Sequence, residues 1–378
     1  MRYINFINPN RIQWCCADAG ISIDELAIET GISSKNISSD KPLLTYNQLN
    51  KVALYFGRGV LFFLSKNEVK EEKVHTVNFR TLANKKPSMS LKLRKLIERT
   101  ESQRDRYVGL LEELEVETET LFEPLKYNKN ILLSAENTRK WLNVGAHNTF
   151  ESYRAAIERR GILVFQSNGY NGKWKIPKES TILGFSLYDP VCPLIVVRKQ
   201  LWPSQQAFTL MHELGHILLH KMSSIDDAED YDAHRGKEYE ANQFAGLLLV
   251  PKEYLATVNL DAKPNEYGEY IEWLRPYCKA WGVSSEVILR RLSDTQLIAR
   301  EDYEGFRRWS KNHELPSMDG GNRAYRHREP QHIFGNKFVR SVFDAKNSKK
   351  LTLAKASSYL DGLKIQDVHL LEKHLANN

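Results

Sequence analysis

Cysteine is scarce in this chain: Cys15, Cys16, Cys192 and Cys278 are spread over 378 residues. Adjacent cysteines seldom bridge each other and no Cys-x-x-Cys pair occurs, so structural thiols in a reducing compartment are expected. Long apolar runs are also missing, and none approaches the roughly 18 residues that span a bilayer. The first residues, Met1-Arg2-Tyr3-Ile4-Asn5, lack the basic-then-apolar pattern of a secretory signal. The expected location is therefore cytoplasmic, with no membrane contact. No internal repeat or low-complexity tract is evident, which excludes solenoids and fibrous folds.

What is present describes a globular protein, with 42% hydrophobic and 27% charged residues. A length of 378 residues favours two or three domains. The formal net charge of +7 permits an acidic partner such as nucleic acid without requiring one.

Residues 9 to 65 read as a string of short helices. Ser22 caps one of them with Glu25 as its capping-box partner, and Gly31 ends it. A tight turn at Gly31-Ile32-Ser33 leads to another short helix from Ser34 to about Ser39, and Thr45 caps a fourth. Two short helices joined by a glycine-containing turn have helix-turn-helix geometry. The candidate DNA-contacting residues are Ser34, Lys35, Asn36 and Ser38, but no arginine is offered for bidentate guanine contact. Leu91 to Leu121 is expected to be one long charged helix with an acidic end. Beyond it, Ala135–Val144 and Phe150–Arg160 read as helices. Ile162–Phe165, Thr181–Tyr188 and Pro193–Arg198 read as strands feeding a long helix from Ser204.

That helix carries the chemistry. Between Ala207 and His220 it is almost wholly apolar except for His212, Glu213 and His216. Residues four apart share a helix face, so two imidazoles at this spacing can converge on one tetrahedral zinc. Glu213, rotated about 100° from His212, stands where a carboxylate can take a proton from water beside the metal. Burying three unsatisfied polar groups on one helix would cost several kcal/mol, which a metal offsets. Gly215 in mid-helix calls for a close helix contact, because glycine there costs about 1 kcal/mol. His220 lies about 12 Å of rise from His212, so one ion cannot reach both.

A second helix begins near Arg235, after an acidic loop at Ile225–Asp232. It offers Glu238 and Glu240, which lie about 200° apart around the axis, so both cannot face one metal. The run Gln206 to His220, with Glu238-x-Glu240-Ala241-Asn242-x-Phe244-Ala245 and Leu248-Leu249-Val250-Pro251, resembles the ImmA/IrrE family of zinc metallopeptidases. Leu26-Ala27-x-x-x-Gly31-Ile32-Ser33-x-x-x-Ile37-Ser38 resembles a phage-repressor helix-turn-helix. Met211 departs from the small residue usual in the ImmA/IrrE pattern.

The resemblance implies Glu238 as third zinc ligand, Ala241 as a small packing face against the Gly215 helix, and Asn242 orienting a ligand. It implies a zincin-like domain cleaving an intracellular regulator, a helix-turn-helix repressor of stress genes or a toxin-antitoxin component, with Glu213 as general base on zinc-held water. The competing expectation is a DNA-binding regulator or antitoxin with a structural zinc. A sheet edge at residues 181–198 would align the substrate as an added strand. Tyr231, His234 and Tyr239 are the nearest candidates for stabilising the oxyanion. The expected fold is α+β and mostly helical. Its parts are a helix-turn-helix domain at 1–66, a connector and charged helix at 67–130 and a zincin-like domain at 131–262. A helical extension at 263–310 and a basic accessory region at 311–378 complete it. Partners are a protein substrate and DNA, and a dimer is admissible.

Overall fold

The structure is a computed structural model that describes residues 3–19, 21–38, 41–56, 58–67, 90–118, 121–125, 130–168, 172–177, 180–200, 202–227, 235–312 and 323–377. Among these, no helix is long and apolar enough to cross a membrane. The chain divides into two compact units, Met1–Lys95 and Leu96–Asn378.

The first unit is helical: α1 (Pro9–Ala19), α2 (Ile23–Thr30), α3 (Ser34–Ile37), α4 (Tyr46–Phe56) and α5 (Val60–Leu64). Ser22 and Glu25 form a reciprocal capping box, and Gly31 ends α2 in the left-handed region at φ 65°. Thr45 and Gln48 exchange equivalent bonds at the start of α4. Leu26, Ile37, Leu44, Leu49, Val52 and Phe63 fill the centre. The helix after the turn is a single turn of four residues. Lys35 and Ser38 are exposed there, whereas Ser34 and Asn36 are half-buried. Ser39 lies outside the described residues.

The boundary between the units falls within α6 (Leu91–Glu113). This helix stops well short of the expected Leu121. Glu112, Glu113, Glu115 and Glu117 place like charges at its C-terminal end, where the helix dipole disfavours anions, and Glu115 turns the chain at φ 60°. Then come α7 (Ile131–Leu142) and α8 (Phe150–Arg159), the latter capped reciprocally by Thr149 and Ser152.

The sheet of the second unit comprises β1 (Leu163–Gln166), β2 (Ile182–Leu187), β3 (Leu194–Val197) and β4 (Ser224–Asp227), in the order β1-β3-β2-β4. β1 runs parallel to β3, and β2 is antiparallel to both β3 and β4. The first three strands are buried on both faces, apart from half-buried Leu183, which is why they read as short continuous apolar runs. β4 differs from expectation, because Ser224-Ile225-Asp226-Asp227 falls where the residues suggest the start of an acidic loop. It corrects a second expectation, since β2 and β3 are each flanked on both sides and offer no free edge for a substrate strand.

α9 (Pro203–Gly215) crosses behind β2 and β3 and continues as a π-helical turn, His216–His220. Its start is not capped by Ser204. Trp202 is the N-cap and Pro203 opens the first turn, where its fixed φ and missing N–H cost nothing. α10 (Gly236–Leu249) packs along α9, followed by α11 (Lys252–Leu255), α12 (Tyr270–Trp281), α13 (Ser285–Asp294) and α14 (Arg300–Asn312). Ser284 caps α13 as expected.

α15 (Glu329–Asn347) lies on β1, followed by α16 (Leu353–Tyr359) and α17 (Ile365–Ala376). Phe334 and Phe338, aromatics of the basic stretch, are fully buried beside Phe165. Arg154 of α8 joins these layers. Its guanidinium donates to the Val164 carbonyl at 2.7 and 2.9 Å, to His332 O at 2.9 Å and to Ile333 O at 3.0 Å. It also pairs with buried Glu158 at 3.3 Å. The result is an α+β fold, mostly helical, around a small mixed sheet.

Candidate metal centre

The whole of α9 from Gln206 to Gly215 is buried, so its polar side chains must find partners inside the protein. Gly215 sits where α9 meets α10: a Cβ there would lie 3.1 Å from Phe244 and 3.5 Å from the Cβ of Ala241. The glycine expected to need a close helix contact has one, and Ala241 is the small residue opposite. Gly184 makes the same allowance on the sheet side. A Cβ at that position would stand 2.7 Å from Thr209 Cγ2 and 3.0 Å from Glu213 Oε1. The motif helix is thus gripped between β2 and α10 at two positions without side chains.

Four side chains converge in the resulting space: His212 and His216 from α9, Glu238 from α10 and Asp226 from β4. The two Nε2 atoms are 3.1 Å apart. Asp226 Oδ2 is 3.1 Å from His212 Nε2 and 3.4 Å from His216 Nε2. Glu238 Oε2 is 3.4 and 3.1 Å from the same two atoms. All four donor atoms lie within 4.8 Å of one another. Ligands at 2.0–2.1 Å from one tetrahedral ion stand about 3.3–3.4 Å apart, so the spacing fits a metal of zinc's size. Lone-pair atoms packed this closely in a buried site call for a cation among them. Among the described residues this is the only such group of His, Cys, Asp and Glu side chains.

The electrostatics point the same way. Burial opposes charge on His212, yet the carboxylates of Asp226 and Glu238 outweigh it and push the imidazole up to about 9. His216 is raised for the same reasons. In turn, despite burial, the histidines hold Asp226 well below the usual carboxylate range and Glu238 down at about 2. Glu213 behaves oppositely: full burial, and then the Asp226 charge, push it well above that range. Both its oxygens are buried beside the gap left by Gly184, and the nearby Ser186 hydroxyl offsets only part of that rise.

Of the residues singled out in the sequence, the structure brings His212, His216 and Glu238 together, with Glu213 alongside. Glu240 turns away and pairs with His220, 3.0 Å from Nε2 to Oε2. His220, too far along the helix to share the ion, faces His216 Nδ1 at 3.0 Å through its own Nδ1. If His216 offers Nε2 to a metal, its Nδ1 proton is donated to His220, and His220 donates from Nε2 to Glu240. Burial holds His220 below its ordinary value, in keeping with a neutral ring. The π-helical turn sets His220 in that position. Asn242 is buried one turn beyond Glu238. Tyr239 is exposed on α10, and Tyr231 and His234 lie outside the described residues. Ser34, Lys35, Asn36 and Ser38 belong to the other unit.

Asp226 is the one member of the cluster that the sequence reading misses altogether. Its signal is the alternation Ser224-x-Asp226, which places both side chains on the α9 face of the sheet, opposite Ser186 and Gly184. Ser224, fully buried, donates its hydroxyl to Asp226 Oδ1 at 2.6 Å, leaving Oδ2 for the histidines.

An α+β body with a buried His-Glu-x-x-His helix, a glutamate on the adjoining helix and a cation-sized gap between them defines a metallopeptidase-like domain. Residues 157–293 match the family described as the IrrE N-terminal-like domain, Peptidase M78, and this bears out the ImmA/IrrE resemblance of the motif region. Among solved structures the chain is similar to a Mycobacterium tuberculosis transcriptional regulator, at 17% identity and a TM-score of 0.28. The alignment covers 52% of this chain and 54% of that one, so the chain spans about half that structure's length. No curated protein matches the chain.

Proposed function

We propose that the second unit is a zinc-dependent endopeptidase acting on an intracellular regulatory protein, a repressor or a toxin-antitoxin component. The observation that carries this reading is the spacing of His212, His216 and Glu238 about one cation-sized gap, with Glu213 beside it. A bound zinc would polarise the scissile carbonyl and lower the pKa of water at the site. The chain's own residues do the rest. His212, His216 and Glu238 hold the ion, while His220 and Glu240 fix the ring of His216. Glu213 accepts the proton of the attacking water and returns it to the leaving amine. Gly184 keeps the strand clear of that carboxylate. A cleft of about 400 Å³ opens one turn earlier along α9, lined by Leu183, Phe208, Thr209, Arg290 and Arg307, and offers a path for an extended peptide. The helical first unit would bring this activity to a regulator or to DNA.

The competing reading is a regulator with a structural zinc, and one observation favours it. Asp226 stands where it would make a fourth protein ligand, and closed four-ligand sites are typical of structural zinc. Glu213→Gln separates the two. The variant should bind one zinc per chain and trap an uncleaved protein that the parent chain cleaves. If it keeps the full biological effect with zinc bound, proteolysis is not the function.

A further inference from the structure

We infer that β4 is a built-in lock on the metal centre, its backbone filling the edge of β2 while Asp226 takes the fourth ligand position. The inference rests on the peptidase reading, because only a catalytic site needs that position open.

Three independent features of one four-residue strand support it. The first is coordination. A catalytic zinc keeps three protein ligands and one exchangeable position, yet four donor atoms converge here. Asp226 Oδ2 stands at 3.1 and 3.4 Å from the two imidazole nitrogens, the same pair of spacings that Glu238 shows. The second is aim. A carboxylate can swing between several acceptors, but Ser224 holds Oδ1 at 2.6 Å, and Asp226 is 1% exposed. The third is the backbone. β4 pairs antiparallel with β2 through Ser224↔Ser186, Ile225↔Phe185 and Asp226↔Gly184. An extended substrate adding to β2 would need that edge, and it would need its reacting carbonyl near Glu213, beside Gly184. β4 therefore occupies the strand position and the water position together, as a bound peptide would.

Among the described residues, β4 supplies the fourth donor of the cluster. Glu238 is reached from solvent, with its side chain 28% exposed, whereas the two histidines are sealed. β4 is short and stands at the sheet edge, so its release breaks one ladder and leaves the pairing of β1, β3 and β2 in place. Activation then means displacement of Ser224–Asp227 by a partner or by the substrate strand itself.

The test uses the full chain loaded with cobalt(II), whose absorption reports coordination, and acetohydroxamate as the probe for an open position. The parent should show no spectral change on adding the probe. Asp226→Ala should still bind one metal per chain, weaker by about tenfold or more, and bind the probe with a clear shift. Ser224→Ala, which keeps all four ligands and frees only the aim of Asp226, should bind the probe at an intermediate level. Circular dichroism identifies any variant that fails to fold, and the near-isosteric Asp226→Asn replaces Asp226→Ala in that case. Equal probe binding by parent and Asp226→Ala overturns the inference, as does folded Asp226→Ala or Asp226→Asn protein that binds no metal. A parent that binds no metal overturns both the inference and the reading beneath it. If the Asp226→Ala site opens as expected but cleaves no peptide, Asp226 does hold the fourth position, but the peptidase reading falls and the lock on catalysis falls with it.

Discussion

Gly184→Ala tests how tightly the sheet holds the motif helix. The added methyl carbon would sit 2.7 Å from Thr209 Cγ2 and 3.0 Å from both Glu213 Oε1 and the Val196 carbonyl oxygen. Carbon atoms in contact prefer about 3.5–4.0 Å, so the shortfall against Thr209 is on the order of 1 Å. Thr209 is 1% exposed in a close-packed interior, which leaves it little room to rotate away. Relief requires α9 to move as a body, and Gly215 against Phe244 and Ala241 leaves no slack on the far side. Overpacking of this kind costs about 1–3 kcal/mol, partly offset by the roughly 0.4–1 kcal/mol gained from a stiffer unfolded chain. The net loss of about 1–2 kcal/mol corresponds to a fall in melting temperature of about 2–8 °C. Because His212 and His216 move with α9 while Glu238 and Asp226 do not, zinc affinity should fall as well. Gly109→Ala is the control: a Cβ there meets nothing within 4 Å in mid-helix, and the change should stabilise by about 0.5–1 kcal/mol. Scanning calorimetry and chelator competition give the two readouts. A Gly184→Ala protein that melts with the parent and holds zinc equally well would refute the claim that β2 positions the site.

Arg154→Met strips a buried network and leaves Glu158 without its ion-pair partner, so urea denaturation should show a loss of about 3–5 kcal/mol, of which Glu158→Gln in the same chain recovers part. Burial pushes the Glu158 carboxyl up to about 7, despite the Arg154 charge, from an ordinary 4.5. A raised folded-state value means stability is fully present below about 4.5 and is lost as pH rises through 7, a slope that urea midpoints should show in the parent and not in Glu158→Gln. His220→Ala removes the partner of His216 Nδ1, and zinc affinity by chelator competition should drop about 10–100-fold with stoichiometry unchanged. Glu213→Gln should lower peptide cleavage by about 10²-fold or more while zinc content stays the same.

Much of this architecture is legible in the residues because the relevant signals are local. The capping pairs Ser22/Glu25 and Thr45/Gln48 mark helix starts wherever they occur, and apolar runs such as Leu194–Val197 announce buried strands. His212, Glu213 and His216 can be read from spacing alone because one helix carries all three. Glu238 needs a resemblance, since nothing within its own helix separates it from Glu240 until α10 is laid against α9. Asp226 is hidden for a different reason. A strand whose inward residues are serine and aspartate looks like solvated loop, and its burial makes sense only once the metal site is present. α6 is shorter than its apolar stripe suggests because the glutamates at its end outweigh that stripe.

The Arg154 network has a practical corollary for anyone who would express the family-matched region by itself. A fragment cut to residues 157–293 would begin after Arg154 and stop before α15. β1 would then present Phe165 to water and lose the guanidinium that ties Val164 to α15. The segment recognisable as a family domain is smaller than the segment that must be made to obtain a folded protein. The useful boundaries for expression lie at the ends of the second unit.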